Sequence, residues 1–252
     1  MTALFVPYGT PLPQDLTGVR VVGINMSNPP WKKDLPVGIK LITTADVPKH
    51  KMGTITPTPE HAWGLIMAAH RRLVGAAQDS FGDRDRWLAP YQLSGRTLGI
   101  LGFGRIGSAV GRVGRAFGMR VDWTDPVNPK LGCDVMLAES DVVVISCTLT
   151  DETRGLLVGK LRLMKSDAIL VSIAPWEIFD PIEVVDALAG NTLRAAAFDD
   201  WPQDYNSTKV QLLRSLGRLT ITPHIAGSTL DARKATEQFV REEMATWLAA
   251  SA

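Results

Sequence analysis

Thr97-Leu98-Gly99-Ile100-Leu101-Gly102-Phe103-Gly104-Arg105-Ile106-Gly107 is the stretch on which the fold reading turns. Its first five residues read as a buried strand, and the six from Gly102 carry the spacing G-x-G-x-x-G. Spacing alone is weak in a chain with 22 glycines; the setting strengthens it. A helix-period stretch follows, Ile106–Phe117, with Ile106, Val110, Val113 and Phe117 recurring on one face. The next strand-like run, Arg120–Asp125, ends in an acid 18 positions beyond Gly107. In such a unit Gly102 allows a tight turn, Gly104 lets backbone approach a pyrophosphate, and Gly107 lets helix pack closely on strand. The helix start, at Arg105 and Ile106, offers backbone N–H groups and a partial positive charge to the phosphates. Asp125 is placed to accept from the adenosine ribose hydroxyls and to repel a 2′-phosphate, so NAD is expected over NADP, although Arg105 could soften that preference.

The pattern continues on both sides of this unit. Short apolar strands are expected at Thr97–Leu101, Arg120–Asp125, Val142–Cys147, Ala168–Ile173, Arg194–Asp199 and Leu219–Thr222, with helix-period stretches such as Leu156–Met164 and Pro181–Leu188 between them. Apolar strands separated by helices imply a parallel sheet covered on both faces, a doubly wound α/β (Rossmann) fold of six strands. Before it, residues 1–57 are rich in Pro and hold two strand-like runs, Val19–Ile24 and Gly38–Thr43. The segment from Thr43 to Thr58 reads as a long surface loop. A helix is expected from Thr58 onward (Trp63, Ile66, Met67, His70, Leu73), and another at Ala232–Leu248. The expected organisation is a reduced N-terminal lobe, 1–57, a cofactor domain, 58–230, and a closing helix, 231–252.

Composition excludes several classes. Lys and Arg total 27 against 26 Asp and Glu, so charge gives no reason to expect nucleic acid or a membrane surface as partner. Cys133 and Cys147 cannot build a disulfide framework, no zinc spacing occurs, and no metal is expected. His61 and His70, nine apart, fall on opposite helix faces and are not a metal pair. Ser172 is outside G-x-S-x-G. With no apolar run of spanning length, a cytoplasmic protein acting on a small molecule is expected.

Leu93–Gly107, Leu149–Leu156 (Leu-Thr-Asp-Glu-Thr-Arg-Gly-Leu), Met164–Val171 and Thr222–Gly227 (Thr-Pro-His-Ile-Ala-Gly) together resemble the D-isomer-specific 2-hydroxyacid dehydrogenases, the group with D-phosphoglycerate and D-lactate dehydrogenases. The resemblance spans about residues 58–252 and implies a shortened N-terminal substrate domain. It implies cofactor contacts from Cys147, Thr148, Ala174, Asp199, His224 and Gly227 besides the glycine loop. It also implies a homodimer through the helix near 60–75, and a last helix that packs toward the N-terminal lobe. His224 matches the family's general acid/base. Asp204 falls where the family has the Glu that pairs with it, one methylene shorter. Asp199 resembles the aspartate near the nicotinamide.

One departure stands out. Pro175 occupies the place of the family's substrate-binding arginine, and proline can neither grip a carboxylate nor polarise a ketone. Lys49 and Lys51 could restore positive charge, or be a solvated loop face. Trp176 and Trp201 could line a larger, aromatic pocket, or be packing. Cys147 reads as a small buried hydrophobe rather than a nucleophile. Two functions stay open. One is NAD-dependent hydride transfer to or from an atypical carbonyl or alcohol substrate. The other is NAD binding without turnover, or within a lyase- or isomerase-like cycle.

Overall fold

The structure is a computed structural model, and it describes residues 3–7, 9–24, 29–53, 55–79, 84–87, 89, 91–125 and 129–251. The side chain of Lys49 lies outside the described residues. The chain divides into two compact units, one of residues 1–57 with 228–252, the other of 58–227.

In the smaller unit β1 (Ala3–Val6), β2 (Val21–Ile24) and β3 (Lys40–Ile42) form a parallel sheet in that order. A short helix, α1 (Lys49–Met52), follows Pro48 within what the sequence reads as loop, and β1 also went unread. The chain's last helix, α8 (Leu230–Ala250), packs on β2: Val240 and Met244 share a core with Val21, Ile42 and Val47. That closeness requires Gly23, whose Cβ would collide with Met244 Sδ. Thr229 caps α8 by accepting from the Ala232 N–H.

The larger unit starts with α2 (Pro57–Arg71) and α3 (Leu73–Gln78), then alternates: β4 (Thr97–Leu101), α4 (Arg105–Ala116), β5 (Arg120–Thr124), α5 (Cys133–Glu139), β6 (Val142–Ile145), β7 (Ile169–Ser172), α6 (Pro181–Ala189), β8 (Ala195–Phe198), α7 (Thr208–Ser215) and β9 (Leu219–Ile221). The sheet order is β5-β4-β6-β7-β8-β9, and every ladder is parallel. Successive side chains leave opposite faces and both faces are covered, which is why the strands read as unbroken apolar runs. Val143, Ile145, Leu170, Ala196 and Phe198 join one core with Met136, Val184, Val185, Leu188 and Val210. Their neighbours Val142, Val144, Ile169, Val171, Ala195 and Ala197 join the other with Ala62, Leu65, Ile66, Ala69 and Val110.

One expected helix is absent. Residues 156–164 form turns and a single 3-10 turn, Leu161–Leu163. Gly155 and Gly159 take left-handed φ of 66° and 73°, which interrupts a helix, while Leu157 and Leu161 are buried regardless. The apolar spacing there records burial, not helical continuity. No helix among the described residues is long and apolar enough to cross a membrane.

Candidate active site

Because all strands of the larger sheet run the same way, their carboxyl ends share one edge. The chain leaves β4 for β5 on one side and returns to β6 on the other, so the crevice of a doubly wound sheet opens after β4. Gly102 follows β4, Asp125 follows β5, Cys147 and Thr148 follow β6, Ala174 follows β7, Asp199 follows β8, and His224 and Gly227 follow β9. Topology thus brings to one edge residues spread over more than a hundred positions.

The loop after β4 is built for close approach. Gly102 has φ +91°, and a Cβ there would lie 2.6 Å from the Cys147 Cα and N. A Cβ on Gly107 would collide with the Gly102 carbonyl oxygen and stand 2.8 Å from Ser146 Oγ. Gly104 differs: it caps the start of α4 without a side-chain bond, and among the described residues a Cβ there would meet nothing within 4 Å. The first-turn N–H groups of α4, at Arg105, Ile106 and Gly107, therefore begin beside open space, as an anionic diphosphate requires. Asp125 Oδ2 accepts from the Phe103 N–H at 2.9 Å, which ties the acid to the glycine loop. Asp125 also lines a cavity of about 270 Å³ with Gly102, Thr124, Pro129, Cys147 and Thr153. These residues fit the adenosine end of a dinucleotide. Burial pushes the Cys147 thiol up to about 11, so near neutrality it is a protonated, weakly reactive wall group.

At the far end, Asp199 is buried at 2% exposure and organises the loop after β9. Its Oδ1 accepts from Thr222 Oγ1 at 2.6 Å and from the Ile225 N–H at 2.9 Å; its Oδ2 accepts from the Ala226 N–H at 2.6 Å. These bonds bracket His224, whose backbone is left-handed at φ +54° and whose side chain is exposed. The expected His224–Asp204 hydrogen bond is not formed. Asp204 is exposed, and among the described residues neither side chain has a hydrogen-bond or ion-pair partner. The shorter reach of Asp accords with the missing bond. The histidine that does meet a carboxylate is His61 of α2, whose Nε2 lies 3.3 Å from Asp199 Oδ1 and 3.1 Å from Thr222 Oγ1. Sequence spacing could not reveal it, because His61 and Thr222 are 161 positions apart.

A cleft of about 510 Å³ adjoins His224 and is lined also by Trp201, Tyr205, Asn206, Arg214 and Thr222. Trp201 is held there by a tilted ring contact with Phe198, centroids 5.1 Å apart, and by donating from Nε1 to the Tyr205 carbonyl at 3.0 Å. Trp176 is 36% exposed, just after Pro175, with its backbone N–H on Asp200 Oδ2 at 3.2 Å. Lys51 is not a spare cation: its Nζ reaches Glu242 at 2.7 Å and Glu243 at 3.5 Å, and the Glu242 bond raises its pKa.

Comparison with known proteins places these features in a family. Residues 63–226 match the profile described as D-isomer specific 2-hydroxyacid dehydrogenase, NAD binding domain. Glyoxylate reductase of Thermococcus kodakarensis is 33% identical over 229 residues, covering 82% of this chain and 66% of that protein. Glyoxylate reductase of Aeropyrum pernix is 36% identical over 198 residues, covering 70% and 58%. The chain thus spans less than two thirds of the length of either relative. D-lactate dehydrogenase from Aquifex aeolicus, solved with NAD and lactic acid, superposes with a TM-score of 0.76 at 21% identity, covering 98% of this chain and 83% of that one. That likeness shows the fold.

Proposed function

The chain belongs to the D-isomer-specific 2-hydroxyacid dehydrogenase family, and on that premise we propose that it is an NAD-dependent oxidoreductase moving a hydride between nicotinamide and a carbonyl or alcohol carbon. The observation that carries the reading is the glycine-capped start of α4 at Gly104, where a Cβ would meet nothing within 4 Å among the described residues, on the same sheet edge as His224. Bound NADH supplies the hydride, and NAD accepts it in the reverse direction. The chain's own residues do the rest. The first turn of α4 holds the diphosphate, and Asp125 receives the ribose hydroxyls and disfavours a 2′-phosphate. His224 gives its proton to the carbonyl oxygen during reduction and recovers it during oxidation. Asp199 holds the His224 loop through the Ile225 and Ala226 N–H groups. Asp204, in the neighbouring loop, is the carboxylate we assign to orient His224 once a substrate draws the two loops together.

Pro175 provides no guanidinium for a carboxylate beside the reacting carbon. We therefore assign a bulkier or aromatic substrate, received by the cleft of Trp201, Tyr205 and Arg214, with Trp176 tied to the cleft residue Asp200 through its backbone N–H. Its volume of about 510 Å³ suits a small ligand. A homodimer through α2 and a cytoplasmic location belong to the same proposal.

A panel of 2-oxo acids, aldehydes and alcohols, followed at the nicotinamide absorbance band, tests this. Glyoxylate, pyruvate and hydroxypyruvate should turn over slowly, aromatic 2-oxo acids faster, and His224→Ala should abolish both. The unpaired Asp204 and the proline at 175 favour a second reading, an NAD-binding protein without turnover. Tight NADH binding with silence across the panel would establish that reading instead.

A further inference from the structure

His61 lies outside the glycine loop and outside the pair at positions 204 and 224, yet its imidazole meets the most deeply buried acid of this edge. The bonding around it fixes its role. Thr222 has a single hydroxyl proton, and at 2.6 Å from Asp199 Oδ1 that proton is committed to the carboxylate. Thr222 Oγ1 can then only accept from His61, 3.1 Å away, so the His61 Nε2 carries the hydrogen donated to Thr222 and stands 3.3 Å from Asp199 Oδ1. Oδ1 of Asp199 thus accepts from two donors among the described residues, Thr222 and the Ile225 N–H, with the His61 Nε2 standing 3.3 Å away. Its Oδ2 has one, the Ala226 N–H, and keeps acceptor capacity. A carboxylate at 3% side-chain exposure would otherwise be costly to keep charged and free to rotate.

The pattern also joins three elements: the first turn of α2, the end of β8, and the loop after β9 that carries His224. A dinucleotide laid across the strand ends puts its adenosine half by β4 and β5, at Asp125, and its second half toward β8 and β9. Asp199 is the buried acceptor there, and an amide is the donor that a nicotinamide ring presents.

We infer that His61 is a positioning residue for the nicotinamide half of the dinucleotide: by donating to Thr222 it fixes the hydroxyl that bonds Asp199 Oδ1, and so holds the carboxylate with Oδ2 left to accept from the carboxamide. This rests on the NAD reading above. His61 touches neither substrate nor hydride. Its effect on chemistry runs through Asp199 and the loop of residues 222–226.

The test is binding, not turnover. NADH and ADP-ribose, which lacks the nicotinamide, are titrated by calorimetry against the full chain and against His61→Ala, His61→Gln and Thr222→Val. Losing one donor from this chain of bonds should weaken NADH by about tenfold in His61→Ala and in Thr222→Val, with ADP-ribose unchanged. His61→Gln, which retains an N–H donor, should recover most of the loss. Undiminished NADH affinity in His61→Ala would overturn the inference, as would an equal loss of ADP-ribose, the mark of a general packing defect. Should His61→Ala not fold, the Gln and Val variants carry the same comparison. Wild-type protein that binds neither ligand would instead refute the cofactor reading itself.

Discussion

Cys147 and Asp199 stand at the ends of neighbouring strand systems and show how differently one edge treats its polar groups. Asp199 stays buried because donors surround it; at half-buried Cys147 desolvation outweighs a single backbone hydrogen bond, and the thiol rises to about 11. The sign follows directly: an acid whose charged form is desolvated holds its proton to higher pH. At pH 8 only roughly one thiol in a thousand is thiolate. Alkylation of Cys147 in a Cys133→Ser background should therefore be slow at pH 7 and rise about tenfold per pH unit through pH 9. A rate that levels off near pH 8 would mean an activated thiol. At this scale the sequence was legible where a motif is local: Gly102 and Gly104 sit between β4 and α4, Gly107 in the first turn of α4, and Asp125 just after β5. His61 was not legible, since its partners come from the far end of the domain and only the sheet brings them together. That Asp204 makes no hydrogen bond to His224 was not legible for a converse reason: position in a loop says nothing about where a short side chain reaches.

Helix α4 carries three glycines toward the sheet, Gly107, Gly111 and Gly114, and they do two jobs. Gly111 and Gly114 face Val121 and Leu98, allowing the helix to lie close on β4 and β5. Gly107 sits under the β4 turn, and Gly104 opens above it. This predicts a split between two matched substitutions. Gly107→Ala should destabilise the protein by about 1–3 kcal/mol, because backbone on the facing side cannot give way. Gly104→Ala should leave Tm unchanged and weaken NADH binding, since its methyl enters the space meant for phosphate. Thermal melts and NADH titration of both variants check this; a stability loss at Gly104, or none at Gly107, would contradict it. Elements of this kind were readable because buried strands leave unbroken apolar runs. The 156–164 segment was misread because its leucines have helical spacing while Gly155 and Gly159 turn the chain left-handed between them. β1 escaped notice because four residues flanked by Pro7 hold too little pattern.

Across the whole molecule, the six-stranded order β5-β4-β6-β7-β8-β9 accounts for why the site exists at all. A parallel sheet has one carboxyl edge, and a reversal of winding beside β4 opens a crevice there. The alternation of strands and helices made that sheet readable in advance. The packing of α8 on β2 in the smaller unit came only through family resemblance, since nothing local joins residue 240 to residue 21. The substrate was the least legible feature: Pro175 says what is missing, and the cleft beside His224 only bounds what could replace it.

The central claim is that this edge binds NAD through the α4 cradle and selects it at Asp125. Equilibrium titration of the full chain with NADH and with NADPH, in wild type and Asp125→Asn, measures it directly. The account predicts saturable micromolar NADH binding, NADPH at least about tenfold weaker, and a gap that narrows in Asp125→Asn. Equal affinity for the two nucleotides in wild type, or no saturable binding of either, would contradict it.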